Sequence, residues 1–155
     1  MHPASMAEKI MMVLAVLVLS SLIIAPLAAG ADRLAVSADV ANVRSGPGTD
    51  NAKLWQVKRN TPIEVIGSQD GWYLFKDFEG TKGWIHGDLV DDFETVAIKD
   101  GKDLVNIRSG PGTDNDVILQ AGEGVPFKVL EKKGDWLHVQ HADGEKGWIH
   151  RALIW

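Results

Sequence analysis

Four tryptophans and two histidines fall at spacings that could serve recognition: Trp72, Trp84 and His86, then Trp136, Trp148 and His150, each 64 residues after its counterpart. An indole face stacks on a sugar ring or an apolar peptide side chain, and its N–H adds one directed hydrogen bond. Arg44 and Arg108, also 64 apart, stand beside glycine-rich loops. There a planar guanidinium could clamp a ligand carboxylate, or brace the loop through its carbonyls or through Asp50 and Asp114. His86 and His150 suit either a structural hydrogen bond or a ligand contact. These side chains form the candidate ligand-binding set.

Other chemistries lack their parts. The chain has no cysteine, which excludes thiol nucleophiles, disulfides and cysteine-based zinc sites. It has no serine nucleophile elbow, no His-Glu-x-x-His and no carboxylate pair repeated in a setting that would raise a pKa, so no enzymatic activity is expected. The Gly-Pro-Gly loops end in Thr49-Asp50 and Thr113-Asp114, not in the lysine and hydroxyl of a phosphate cradle, and read as turns. Asp114-Asn115-Asp116 lacks the further acidic ligands of a calcium loop. His138 and His141, three apart on a strand, point to opposite faces. No metal and no cofactor are expected. The formal net charge is −5, with 7 basic and 11 acidic residues in 32–94 and 8 and 9 in 95–155, which argues against a nucleic-acid surface.

The elements that must position these residues occur twice. Residues 42–91 laid without a gap on 106–155 agree at 20 of 50 positions. The agreement begins with Asn42-Val43-Arg44-Ser45-Gly46-Pro47-Gly48-Thr49-Asp50-Asn51 over Asn106-Ile107-Arg108-Ser109-Gly110-Pro111-Gly112-Thr113-Asp114-Asn115. Its second block is Lys82-Gly83-Trp84-Ile85-His86 over Lys146-Gly147-Trp148-Ile149-His150, and the last match is Leu89 over Leu153. A repeat of this length marks two copies of one small module, 32–94 and 95–155. Ahead of them, residues 1–31 carry a run from Ile10 to Leu27, apolar apart from Ser20, Ser21 and Pro26, then Ala29-Gly30-Ala31, the pattern of a cleaved signal peptide; uncleaved, it would anchor the chain to a membrane.

In the first copy, strands are predicted at Arg33–Val36, Val40–Arg44, Leu54–Val57, Ile63–Gly67, Trp72–Lys76 and Gly83–His86, separated by Gly, Pro, Asn and Asp turns. Short strands at this spacing argue a small sandwich or barrel. Alternation places Leu137 and Val139, and in the first copy Tyr73 and Phe75, toward a core. Trp84 depends on one residue of turn length. A three-residue loop, Phe78-Glu79-Gly80, pairs Leu74 with Trp84 and puts Trp72, Trp84 and His86 on one outward face. A two-residue loop pairs Phe75 with Trp84 and sends that indole inward. Lys82 and His86 are poor core residues, which favours the outward face. Trp55, aligned with Leu119, reads as packing, and Trp155 as a cover for the seam between modules.

The Asn-Val-Arg-Ser-Gly-Pro-Gly-Thr segment, with Gly-Trp-Ile-His some 40 residues later, resembles the bacterial SH3-like (SH3b) family, once per copy. The resemblance implies an all-β chain of two tandem small barrels after the signal peptide, with Ser45–Asn51 and Ser109–Asn115 in the long loop of each. Members often target catalytic domains to cell-wall peptidoglycan; here the two copies leave no room for such a domain. The expected function is non-catalytic binding of peptidoglycan peptide or glycan by an exported protein of the periplasm or envelope. The alternative is an adaptor that binds an envelope protein through extended peptides.

Overall fold

The computed structural model describes residues 32–99, 101 and 103–155. The export segment expected at 1–31 lies outside them. Among the described residues there is no α-helix, only strands and two single 3-10 turns, Gly87–Leu89 and Arg151–Leu153.

Strands β1 (Arg33–Val36), β2 (Val40–Arg44), β3 (Lys53–Lys58), β4 (Pro62–Gln69), β5 (Trp72–Lys76), β6 (Lys82–His86) and β7 (Val90–Asp91) form one antiparallel sheet, in the order β3-β2-β6-β5-β4-β1-β7. The second sheet is built from β8 (Thr95–Ala97), β9 (Val105–Arg108), β10 (Val117–Ala121), β11 (Pro126–Lys133), β12 (Trp136–Gln140) and β13 (Lys146–His150), in the order β10-β9-β13-β12-β11-β8. Each strand foreseen in the first copy is present, with β3, β4 and β6 extended by two, three and one residues.

Alternation drives each sheet to wrap its own core. Val36, Ala41, Val43, Ile63, Val65, Phe75 and Ile85 are buried together in the first. A separate cluster around Ile107, Phe127, Leu137, Val139 and Ile149 fills the second. Full burial of each large apolar side chain contributes about 1.5–3 kcal/mol, and without disulfides this is the main support of each module.

Hairpin loops set the register. Asp77 and Thr81 close a three-residue loop with an N–H···O bond of 3.0 Å, and Gly80 takes φ 83°, a left-handed value a side chain would resist. That loop pairs Leu74 with Trp84 and Trp72 with His86. The second copy repeats it: His141 and Glu145 close the loop at 2.8 Å, Gly144 has φ 97°, and His138 pairs with Trp148.

In this second loop the Asp143 carboxylate accepts the Glu145 N–H at 3.0 Å and meets His141 Nδ1 at 2.8 Å. The backbone bond, then His141, hold the Asp143 carboxyl below the usual aspartate range. Since the folded value is the lower one, this stabilisation is complete above the unfolded value and disappears as pH falls through the folded one. A carbon-detected NMR titration should place the Asp143 midpoint below that of Asp143 in the denatured chain; an equal or higher midpoint would contradict the hydrogen bonds as described.

The modules meet along a short seam. Arg33 of β1 lies over the Trp155 ring, 4.2 Å from its centroid, and Lys128 Nζ sits 5.3 Å from the Phe93 ring. Glu94 pairs with Lys132. Trp155 and Ala97 exchange backbone hydrogen bonds of 2.9 and 3.2 Å, which fixes the last residue against β8. The segment that joins the modules thus contains β8, a strand of the second sheet.

Candidate functional site

The two hairpins carry their tryptophans to the outer sheet face by register, but the two copies expose them differently. In the first, Trp72 and Trp84 are each only 8% exposed. The expectation that Trp72, Trp84 and His86 line an open face is therefore corrected. The strand parity is outward, yet surrounding structure covers both indoles. In the second copy Trp136 and Trp148 are half-buried. Trp148 is not open either: it pairs with Arg108 across β13 and β9, and the His138 ring stacks on it at 5.0 Å and 15°.

His86 and His150 make the same structural bond. His86 Nδ1 accepts the Asp88 N–H at 3.2 Å, and His150 Nδ1 accepts the Ala152 N–H at 3.2 Å, each capping the 3-10 turn that follows. In the neutral ring this assigns the proton to Nε2. Each imidazole also meets a tryptophan edge to face, Trp72 at 5.1 Å and Trp136 at 5.3 Å. A hydrogen bond and an aromatic contact thus hold each ring in one orientation.

Arg44 and Arg108 brace their loops through carbonyls. Arg44 Nη1 donates to Thr49 O and Asn51 O, both at 2.8 Å, and Arg108 Nη1 donates to Asn115 O at 2.9 Å. The side chains of Asn51 and Asn115 tie back to Gly48 and Gly112 in turn. The aspartates Asp50 and Asp114 take no part.

In the second module the braced loop, the 3-10 turn and the hairpin enclose a cavity of about 290 Å³ lined by Arg108, Trp136 and His150. These three sequence candidates are brought together; Trp148 is left out. The sequence reading missed Asp103, Asn106, Thr113 and Leu153, which also line it. The signal that marks them is recurrence. Seven of the nine lining positions are identical 64 residues earlier, as Asp39, Asn42, Arg44, Thr49, Trp72, His86 and Leu89, against 20 of 50 over the aligned copies. The exceptions, Leu104 and Val105, remain apolar as Val40 and Ala41. Duplication has kept this lining more closely than the modules around it.

The cavity offers a flat aromatic wall, a cation and, in Asp103, an anion at its mouth. It suits a ligand with an apolar or sugar body and polar ends. Among the described residues there is no cluster of three or more His, Asp or Glu placed to hold a metal ion.

Residues 39–91 and residues 101–155 each match a family model described as bacterial SH3 domain. The chain is 26% identical over 128 residues to YrvJ of Bacillus subtilis (strain 168), named as an N-acetylmuramoyl-L-alanine amidase; the match covers 77% of this chain and 24% of that protein. It is 37% identical over 60 residues to LytH of Staphylococcus epidermidis, named as a cell wall amidase, covering 38% of this chain and 20% of the relative. The chain thus spans a quarter or less of these relatives. The solved structure of NlpC2 from Trichomonas vaginalis superposes with a TM-score of 0.37 at 11% identity, over 81% of this chain and 48% of that one, a score too low to bear on function.

Proposed function

We infer, because this chain belongs to the bacterial SH3 domain family and carries two such domains in tandem, that it is a non-catalytic binding protein for cell-wall peptidoglycan. The observation that carries this reading is the cavity of Arg108, Trp136 and His150, whose lining recurs in the other module. The relatives' names, an N-acetylmuramoyl-L-alanine amidase and a cell wall amidase, support the choice of ligand. The reading places the mature protein, 32–155, outside the cytoplasm, with residues 1–31 directing export and Glu94/Thr95 dividing the modules.

Trp136 would stack on a sugar or peptide side chain, and the outer edge of the Arg108 guanidinium would meet a carboxylate or carbonyl. Residues 32–155 are expected to co-sediment with purified peptidoglycan sacculi and to remain bound at raised salt, because stacking is not screened. Trp136→Ala should weaken binding roughly tenfold, the scale of about 1–1.5 kcal/mol for one aromatic contact. Wild-type protein left in the supernatant would reject the wall reading. A variant that is folded and binds unchanged would reject the cavity.

A further inference from the structure

The residues that line the cavity of the second module recur in the first, but the charges beside them differ. In the first module, Asp39 is held by Arg59: Nε and Nη2 both reach Oδ1 at 2.9 Å, and the Arg59 N–H donates to the Asp39 carbonyl at 3.1 Å. In the second module the position of Arg59 is occupied by Glu123, 64 residues on. The approach to Asp103 is also longer. Ala35 pairs with Pro62, and Ala97 with Pro126, so four steps lead from Ala35 to Asp39 but six from Ala97 to Asp103. Glu123 turns its carboxylate onto this longer segment; a Cβ on Gly101 would stand 2.6 Å from Glu123 Cδ. Among the described residues no cation pairs with Asp103. Asp39 is thus paired, while Asp103 shares the cavity lining with Arg108 and Trp136 and has a glutamate where the first module has Arg59.

We propose that the second module selects a ligand bearing a free primary ammonium, with Asp103 receiving the ammonium, Trp136 the aliphatic body and Arg108 a carboxylate or carbonyl beyond it. The ligand class is the unlinked diamino acid of a wall stem peptide. The first module, its aspartate already paired, makes no such distinction. This deepens the wall-binding reading and rests on it. An ammonium brought to an exposed carboxylate gains only a modest, salt-sensitive advantage, so the discrimination should be roughly fivefold at low salt.

The test uses protein expressed from the full chain, followed through the indole N–H signals of Trp136 and Trp72. It is titrated with N-acetyl-Ala-γ-Glu-Lys-Ala-Ala carrying either a free or an acetylated lysine amine. The free amine should bind roughly fivefold tighter at the Trp136 signal, with no preference at Trp72. Asp103→Asn should remove the preference. So should Glu123→Arg, which restores at this position the arginine that pairs with Asp39 in the first module. Equal affinities for the two peptides, or a preference that survives in Asp103→Asn, would overturn the proposal. If sacculi still bind in that case, wall binding stands and only the amine selectivity falls. If neither sacculi nor peptide binds, both readings fall.

Discussion

Replacing Trp72 with alanine is expected to destabilise the first module by about 3–5 kcal/mol, the usual range for emptying a buried tryptophan site. Trp72 is 8% exposed, packs edge to face on His86, and sits on β5 between β4 and β6. Trp136→Ala should cost clearly less, because that indole is half-buried against a cavity already open on one side. Urea unfolding of both single variants measures the difference. In domains of this size each kcal/mol moves the melting temperature by roughly 4–8 °C, so the gap is easily resolved. Equal losses would mean that the burial difference between the copies does not exist in solution. The comparison also separates folding from recognition: a defect in Trp72→Ala reports on the barrel, one in Trp136→Ala on the ligand.

Gly83→Ala is the second large effect. Gly83 lies in β6 where that strand passes over β2, and a Cβ there would run into Val43 Cγ1 and stand 2.9 Å from Trp55 Cη2. Val43 is fully buried and Trp55 is fixed edge-on to Phe75, so neither withdraws freely. Overpacking of this kind costs about 1–3 kcal/mol. In the second module, Gly147→Ala would place its Cβ 2.5 Å from Ile107 Cγ2 and 2.9 Å from Ile118 Cδ1. Ile118 is 51% exposed and can swing outward, so the penalty should be smaller than at Gly83. Thermal melts of the two variants give the order; the reverse order would show that Trp55 is not the rigid wall described.

Much of the fold was legible because strand and turn signals agreed with one another. Gly80 is the clearest case. The sequence allowed a two- or a three-residue loop, and Lys82 and His86, poor core residues, favoured the longer one; Gly80, left-handed, closes that loop and sets Leu74 opposite Trp84. Alternation likewise sorted Leu137 and Val139 from His138. The covering of Trp72 and Trp84 was not legible. Parity states which sheet face a side chain leaves from, but what lies over that face depends on long-range packing. The same limit applied to Arg44 and Arg108, where the residue type allowed a clamp or a brace and only the distances to Thr49, Asn51 and Asn115 carbonyls decided. The exchange of Arg59 for Glu123 was visible from the first alignment of the copies. It acquired meaning once Asp39 proved to be the partner of Arg59.

Across the seam, Arg33, Phe93 and Glu94 meet Trp155, Lys128 and Lys132. Two sites on a loose tether can search for partners at many distances, and their joint strength depends mainly on tether length. Two sites on a stiff bar reinforce each other only where the surface repeats at the bar's own spacing. If both modules bind the wall as proposed and the seam holds them at one spacing, the protein would act as a gauge, responding to how densely the wall is knitted as well as to what it is made of.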